Sequence, residues 1–241
     1  MVELSGVSFG YQSDKNVLDN LNLRMEEGRF YGLLGMNGSG KTTLLKLIAG
    51  KLFAHGGEIY VDGRNLRERD VETLQKVFML PADFIFPNMS LEQFLAIYSE
   101  FYPEFRKEVL NDCLVNFEIQ RDIKNLNQLS LGEKHKVAFS IALSLGTKIV
   151  LLDEAANGMD IPARKMFRKL LMKHVREDQI VVLSTHIVQD IENLLTDVIV
   201  LRKDAPVYAA SLEEIASRYS FGIQSNEEGV LYAEACTEVT M

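Results

Sequence analysis

Residues 30–49 read FYGLLGMNGSGKTTLLKLIA, and this stretch decides the fold. A short apolar run over residues 30–34 leads into the pattern G-x-x-x-x-G-K-[ST] at residues 35–42, and an apolar helical pattern follows. Glycines in such a loop let successive backbone N–H groups turn inward around an anion, and the dipole of the following helix strengthens that field. The stretch therefore predicts a strand, a phosphate loop, a helix and a bound nucleoside triphosphate.

The chemistry of the loop gives its side chains separate roles. The Lys41 ammonium is expected to reach the β- and γ-phosphates and to act in catalysis, and the Thr42 hydroxyl to ligate Mg²⁺. A chance glycine-rich turn is the alternative, which the flanking strand and helix make the weaker interpretation. The predicted nucleotide-binding residues here are Asn37, Gly38, Ser39, Gly40, Lys41, Thr42 and Thr43.

Composition narrows the class of protein. The chain has 26 Lys and Arg against 34 Asp and Glu, a net charge of −8, and 47% hydrophobic residues, which is typical of a globular protein. The acidic surplus argues against nucleic acid as a partner. Two cysteines are too few for a disulfide framework. The longest uncharged apolar stretch, residues 137–147, is too short to cross a bilayer, and no secretory signal is visible. We expect a soluble cytoplasmic chain.

The hydrophobic pattern predicts an α/β fold. Residues 21–25 alternate as in an antiparallel strand with one solvated face, whereas residues 30–34, 149–152 and 180–183 are continuous apolar runs typical of buried parallel strands. Helical patterns with two capping-box spacings, at Ser90 and Ser130, dominate the middle of the chain. The predicted division is a core with an antiparallel β part (1–83 and 146–218), a helical subdomain (84–145) and a C-terminal tail of unassigned role (219–241), with a possible edge strand at 230–232.

Two carboxylates, Asp153 and Glu154, end the apolar run that starts at residue 149. A parallel strand delivers its last residues to the carboxyl edge of the sheet, where ligands bind in open α/β folds. Adjacent strand residues point to opposite sides, so we expect Asp153 to hold Mg²⁺ and Glu154 to polarise an attacking water. An acidic turn after a core strand is the alternative, and the nearby phosphate loop makes it the minor one.

His186 follows the apolar run over residues 180–183 in the same manner. At the end of a third core strand its imidazole is expected to donate a hydrogen bond to negative charge developing on the γ-phosphate. The other three histidines, His55, His135 and His174, are interpreted as structural.

Further motifs, in a fixed order, make the assignment specific. Residues 129–133 read LSLGE before the acid strand, residues 157–160 read NGMD after it, and Tyr11 precedes the phosphate loop. With these motifs, residues 1–215 resemble the nucleotide-binding subunit of ATP-binding cassette (ABC) transporters, closest to single-cassette export-type ATPases. The resemblance implies a P-loop NTPase with a RecA-like core, ATP with Mg²⁺, and adenine stacked on Tyr11.

The resemblance also implies a head-to-tail dimer in which each ATP lies between the phosphate loop of one subunit and the signature, residues 129–133, of the other. Ser130, Gly132 and the Asp-loop residue Asp160 would then contact nucleotide. The implied partners are a second ATPase subunit, either another copy or a similar chain, and an integral membrane permease driven by dimer closure. The implied location is the inner face of the cell membrane.

Two departures from the family pattern concern catalysis and coupling. Ala82 stands where family members have a Gln that touches Mg²⁺, with Asp83 as the nearest replacement. Leu131 and Glu133 replace a Gly and a Gln of the signature, and a carboxylate near the partner's γ-phosphate is expected to weaken closure.

A soluble ABC-type ATPase and an ATP-sensing regulatory module are the alternative functions.

Overall fold

The chain folds as alternating strands and helices, which confirms the predicted α/β class. This computed structural model describes residues 1–12, 15–185, 192–203, 205–225 and 231–238. The elements follow one another as β1 (Val2–Phe9), β2 (Leu18–Met25), β3 (Phe30–Leu34), α1 (Lys41–Ile48), β4 (Gly56–Val61), β5 (Arg64–Asn65), α2 (Val71–Gln75), β6 (Val77–Leu80), α3 (Leu91–Phe101), α4 (Lys107–Asn116), α5 (Leu131–Ser144), β7 (Ile149–Asp153), α6 (Ile161–His174), β8 (Ile180–Ser184), β9 (Asp197–Arg202), β10 (Ala205–Ser211), α7 (Leu212–Arg218), β11 (Tyr219–Ser225) and β12 (Leu231–Glu238).

A six-stranded sheet in the order β10-β9-β3-β8-β7-β6 forms the centre. Five of its strands, from β9 to the edge strand β6, run parallel to one another, whereas β10 at the other edge pairs antiparallel with β9. All five residues of β7 and all five of β8 are buried, which explains their continuous apolar sequences. The predicted parallel strands are confirmed, and their carboxyl ends share one edge of the sheet.

A four-stranded antiparallel sheet, in the order β2-β1-β4-β5, forms a second layer. The alternation predicted for β2 is confirmed, because Leu21, Leu23 and Met25 are buried between exposed neighbours. These side chains share a hydrophobic core with Leu44 and Leu45 of α1. The antiparallel sheet therefore supports the helix that follows the phosphate loop.

Three helices, α3 to α5, fill the chain between β6 and β7. Both predicted capping boxes are present, Ser90 with Gln93 at α3 and Ser130 with Glu133 at α5. The buried face of α4 packs in one core with the strands β7 and β8. Among the described residues, each helix is too short or too polar to cross a bilayer.

The C-terminal part differs from the sequence expectation. Weak patterning after residue 220 suggested at most a short edge strand at 230–232. The structure has two strands there, β11 and β12, which pair with each other as a separate antiparallel sheet. This pair joins neither of the two larger sheets.

A charged cluster joins the two sheets at the edge opposite the phosphate loop. The Asp62 carboxylate, after β4, accepts hydrogen bonds from the Lys76 ammonium before β6 (2.9 Å) and from the Lys148 ammonium before β7 (3.2 Å). Burial alone would raise the pKa of Asp62, but hydrogen bonds from the chain's amino group, Lys76 and Lys148 outweigh burial and hold that pKa well below its usual range. Ionised Asp62 is therefore more stable in the folded chain than in the unfolded chain.

We predict that Asp62→Asn lowers the free energy of unfolding at pH 7 by about 1–2 kcal/mol, because hydrogen bonds from charged donors to a part-buried carboxylate are lost. The folded pKa is depressed, so the deficit is full above pH 5 and shrinks as the pH falls below the unfolded pKa of about 3.9. Urea unfolding of wild type and Asp62→Asn between pH 2.5 and 7 measures this deficit. Asp122→Asn is the control, because the Asp122–Lys124 pair is fully solvated and its loss should be nearly neutral. Equal losses of unfolding free energy in Asp62→Asn and Asp122→Asn would contradict the stabilising role of the Asp62 cluster.

Candidate functional site

The phosphate loop connects β3 to α1, as predicted. Gly40 is the N-cap of α1 with φ of 102°, a left-handed conformation that residues with a side chain rarely adopt. A Cβ at this position would also lie 2.9 Å from Leu18 Cδ2 of the antiparallel sheet. The last glycine of the motif is therefore required both by the backbone and by the packing of β2.

The Lys41 side chain closes the loop. Lys41 is buried, and its ammonium donates to the backbone carbonyls of Gly35 (2.7 Å) and Met36 (3.2 Å). The Ser39 hydroxyl is also buried and has no hydrogen-bond partner among the described residues. A buried hydroxyl without a partner is unfavourable, and a phosphate oxygen would satisfy it. The loop thus presents a cation, an unpaired donor and a helix N-terminus together.

Thr42 and Asp153 meet at the carboxyl edge of the sheet. The Thr42 hydroxyl donates to Asp153 Oδ2 at 2.7 Å, although the residues are 111 apart in sequence. Both are hard oxygen ligands of the kind that Mg²⁺ takes in small number beside phosphate and water. Among the described residues, no group of three or more His, Cys, Asp or Glu side chains forms an all-protein metal site. The pair therefore fits an ion held largely by phosphate and water.

Glu154 leaves the strand in an unusual conformation. Its φ is +48°, a left-handed value that is strained for a residue with a side chain, and such strain concentrates at functional positions. Its backbone N–H donates to the Ser184 carbonyl at 2.9 Å, and the Asn157 amide donates to its Oε2. Glu154, Asn157, Ser184 and Thr185 line a cavity of about 240 Å³. The carboxylate is thus oriented beside a space that admits water.

The signature residues form a second cluster at the N-terminus of α5. The Ser130 hydroxyl donates to Glu133 Oε2 at 2.6 Å, and the Ser130 backbone N–H donates to the same oxygen at 2.9 Å. These two hydrogen bonds lower the pKa of Glu133. A Cβ on Gly132 would lie 3.2 Å from the Gly158 carbonyl, so the signature packs directly on the Asp loop. Leu131 is 65% exposed.

Asp160 and Tyr11 have defined contacts within the chain, and their predicted roles at the nucleotide stay predictions. The Asp160 carboxylate accepts from the Ala163 N–H at 2.8 Å and caps α6. The Tyr11 ring is 62% exposed and stands edge-on to Phe9, with centroids 5.1 Å apart. Its hydroxyl lies 3.2 Å from the Thr43 hydroxyl, which places the exposed ring beside the phosphate-loop helix.

The predicted residues fall into two groups. The structure brings Lys41, Thr42, Asp153 and Glu154 together at the ends of β3 and β7. Within the described part of the chain, no hydrogen bond joins these residues to Ser130, Gly132 or Asp160. Asn37 and Gly38 are exposed at the loop tip. His186 lies outside the described residues, so its role stays a prediction.

The structure shows the surroundings of the residues that depart from the family pattern, Ala82 and Glu133. Ala82 follows β6, as aligned from the sequence, and is half-buried, while Asp83 is exposed. Glu133 completes the capping box, as a Gln at this position also would. As an ionised acceptor, however, Glu133 accepts the hydrogen bond from the single hydroxyl hydrogen of Ser130.

Three further residues at this edge were not predicted from the sequence. Ser184 is buried, its hydroxyl has no partner among the described residues, and it pairs in register with Asp153. Asn157 orients Glu154. The Lys203 ammonium, after β9, lies 3.8 Å from where a Cβ on Gly38 would be. Ser184 and Lys203 each lie at the end of a core strand. That position indicates a site residue only once the order of the strands shows which strand ends are neighbours.

Known proteins resemble this chain over most of its length. The protein-family model described as ABC transporter matches residues 18–157. "ABC transporter ATP-binding protein NatA" of Bacillus subtilis (strain 168) is 30% identical over 225 residues, which cover 89% of this chain and 91% of that protein. "ABC transporter ATP-binding protein YtrB" of the same organism is 28% identical over 220 residues, which cover 91% of this chain and 75% of that protein.

A solved structure shares the fold. The "Structure of ATP binding subunit of ABC transporter" superposes with a TM-score of 0.80 at 24% identity, covering 89% of this chain and 91% of the other. At that identity the likeness concerns the fold alone.

We predict that Thr42→Val destabilises the nucleotide-free protein by about 1–3 kcal/mol, because it removes the hydroxyl that donates to the buried Asp153 carboxylate. Thr42→Ser keeps the donor and should stay close to the parent. Urea unfolding of the three proteins without nucleotide measures this difference. Equal stability of the Val and Ser variants would mean that the Thr42–Asp153 contact contributes nothing to the fold.

Proposed function

The chain belongs to the ABC transporter family, as an ATP-binding subunit with ATPase activity coupled to transport, and we propose here how its own residues bind and hydrolyse ATP. The observation that carries the proposal is the meeting of Thr42, Asp153 and Glu154 at one sheet edge beside the Lys41 loop. These side chains supply a cation, a metal-binding pair and a base in one place.

ATP binding would exchange hydrogen-bond partners in the loop. The Lys41 ammonium would leave the carbonyls of Gly35 and Met36 for the β- and γ-phosphates, and the buried Ser39 hydroxyl would gain an acceptor. The exposed Tyr11 ring beside Thr43 would stack on the adenine. Thr42 and Asp153 would hold Mg²⁺, whose chemistry is to neutralise charge on the phosphate oxygens.

Glu154 would act as the general base. Its carboxylate would take the proton of a water in the adjoining cavity as that water attacks the γ-phosphorus, and the bond to the leaving ADP oxygen would break. Asn157 holds the Glu154 carboxylate by its amide hydrogen bond. His186 is proposed to donate to the developing charge.

A second copy of the chain would complete the site. The signature cluster and the phosphate-loop cluster belong to one chain but share no hydrogen bond among the described residues. A head-to-tail dimer would place Ser130, Gly132 and the N-terminus of α5 against the γ-phosphate bound by the other copy. Closure on ATP and opening after hydrolysis would then drive a separate membrane permease, with the chain on the cytoplasmic face.

An apolar groove marks where that permease would dock. A cavity of about 400 Å³ lies between the end of β6 and helix α3. Ile85, at its rim, is 88% exposed and Ile97 is 48% exposed, which is unusual for large apolar side chains. We define this aromatic groove by Pro81, Phe84, Ile85, Phe86, Phe94, Ile97 and Tyr98. Most of its residues come after Ala82 in the sequence. The groove lies between the proposed core (1–83 and 146–218) and the proposed helical subdomain (84–145).

We predict that Glu154→Gln binds Mg-ATP and forms a stable dimer but loses about 10²–10⁴-fold in turnover, the usual contribution of a general base. Light scattering with and without ATP, together with phosphate release, gives the two readouts. Glu177→Gln, an exposed change before β8 at the opposite edge of the sheet, is the control and should keep wild-type turnover. Equal phosphate release from wild type and Glu154→Gln would favour an ATP sensor, and monomers at saturating ATP would contradict the dimer.

We predict that Ile85→Glu abolishes association with the permease and leaves the ATPase rate of the isolated chain unchanged, because a charge enters an apolar contact at a residue outside the phosphate loop and the acid pair. The measurement is affinity capture of the tagged chain, produced in its own cells, from detergent-solubilised membranes. Val115→Glu, at a position 74% exposed on α4 and outside the groove, is the matched control.

A multi-span membrane protein captured in stoichiometric amount by wild type and Val115→Glu, and lost with Ile85→Glu, is the expected result. Its capture by all three variants would contradict docking in the groove. Recovery of soluble proteins alone would instead favour an ABC-type ATPase that acts on soluble partners.

A further inference from the structure

The hairpin between β9 and β10 flanks the phosphate loop on the side away from the acid pair, Asp153 and Glu154. In the central sheet β9 lies on one side of β3, whereas β8 and then β7, which carries the acid pair, lie on the other side. Leu34, the last residue of β3, pairs in register with Val200 of β9. The two strands therefore end at the same level, and the residues that follow β9 lie beside the residues that follow β3.

Leu201 holds this hairpin against the phosphate loop. Its carbonyl oxygen lies 2.5 Å from where a Cβ on Gly35 would be, and the Ser39 hydroxyl oxygen lies 2.5 Å from the same point. A side chain at position 35 would collide with both atoms, so the glycine allows β9 and Ser39 to approach each other at the loop. The Leu201 side chain is buried in the core that also contains Leu44 of α1. The end of β9 is thus fixed beside the loop.

Lys203, two residues further on, reaches back over the tip of the loop. Its Cε and Nζ atoms both lie 3.8 Å from where a Cβ on Gly38 would be. Arg202 pairs with Ala205 across the turn, so the place of Lys203 is set by the two strands of the hairpin. Lys203 and Gly38 are both exposed. The ammonium therefore has solvent on one side and the backbone of the loop on the other.

Positive charge accumulates at this tip. The Lys41 ammonium is buried within the loop, and the N-terminus of α1 adds the partial positive charge of the helix dipole. Lys203 has neither an ion pair nor a hydrogen bond within the described part of the chain. A further ammonium next to like charge is unfavourable by Coulomb's law unless an anion occupies the loop. The position of Lys203 therefore suits a site for a multiply charged anion.

The Ser39 hydroxyl is an independent indication of an anion on this side. It is buried and has no hydrogen-bond partner among the described residues. A phosphate held by the N–H groups of the loop would give this hydroxyl an acceptor and would bring negative charge within reach of Lys203. Mg²⁺ held by Thr42 and Asp153 would approach the phosphates from the β7 side. The β9 side of the phosphates would then have no counter-charge except Lys203.

We propose that Lys203 is a second phosphate-binding cation of this chain, outside the phosphate-loop motif. It neutralises the phosphate chain of the nucleotide from the β9 side, while Lys41 acts from within the loop and the metal-binding pair acts from the β7 side. The flexible stem of a lysine lets its ammonium swing from above Gly38 onto a phosphate oxygen. This inference rests on the proposed binding of the nucleotide in the phosphate loop.

Calorimetric titration with Mg-ADP, and with Mg-AMP-PNP as a non-hydrolysable analogue of ATP, tests the proposal. In the proposed cycle ADP occupies the loop but leaves the two copies apart, so its affinity reports on the loop of one chain. Lys203→Met keeps the length of the side chain and removes its charge, and it should weaken the binding of both nucleotides about three- to tenfold. Lys203→Arg keeps the charge and should stay within about twofold of the parent.

Arg202→Met is the matched control. Arg202 is exposed and directly precedes Lys203, so this variant removes the same charge from the same hairpin, and its affinity should stay within about twofold of the parent. The loss in Lys203→Met should shrink as NaCl rises from about 0.05 M to about 0.5 M, because salt screens an exposed ion pair. A purely structural role would not produce this salt dependence. Thermal unfolding without nucleotide verifies that each variant is folded.

Unchanged affinity of Lys203→Met for Mg-ADP, or an equal loss in Arg202→Met, would overturn the proposal. A loss confined to AMP-PNP, with a smaller fraction of dimers by light scattering, would also overturn it and would indicate that Lys203 contacts the second copy. Failure of the parent chain to bind either nucleotide would instead count against the proposed function, and the role of Lys203 would fall with it.

Discussion

Ser184 at the end of β8 sets the geometry of the whole site. It pairs in register with Leu33 of β3 on one side and with Asp153 of β7 on the other. This pairing brings the phosphate loop and the acid pair to the same level of the sheet, so that Thr42 and Asp153 meet at 2.7 Å. A slip of one residue in either pairing would turn every side chain of that strand to the opposite face. The strands are buried on both faces, and their packing excludes such a slip.

The parts of the fold that depend on local sequence could be predicted. Continuous apolar runs gave the parallel strands, alternation gave β2, and the spacing of Ser and Gln or Glu gave the starts of α3 and α5. The phosphate loop and the acid pair were also evident, because their chemistry requires particular residues at fixed spacing. The order of the strands depends on contacts between distant segments, and no local pattern encodes it.

The residues of the site could be predicted from the sequence, but their detailed conformations and contacts could not. Lys41, Thr42, Asp153 and Glu154 follow from motif and position. The left-handed backbone of Glu154 and its hydrogen bond from Asn157 depend on the way the chain leaves β7, which the sequence pattern does not define.

The substitutions in the signature have a physical consequence for closure. Ser130 has one hydroxyl hydrogen, and Glu133 accepts it at 2.6 Å. A γ-phosphate arriving from a second copy would compete with that carboxylate for the same hydrogen, so closure would have to break a charge-assisted bond. The exposed Leu131 would meanwhile offer apolar surface to the other copy. Nucleotide binding by the phosphate loop does not depend on either residue.

In the proposed mechanism ATP is hydrolysed at a site shared between two chains, and mixing two inactive variants tests this directly. Lys41→Ala disables the phosphate loop, and Ser130→Asp keeps a helix cap but repels the phosphate. Each variant alone should release little phosphate from ATP. A one-to-one mixture should recover about a quarter of the wild-type rate, because half of the dimers are mixed and each has one intact site. A mixture no more active than its components would contradict the shared site.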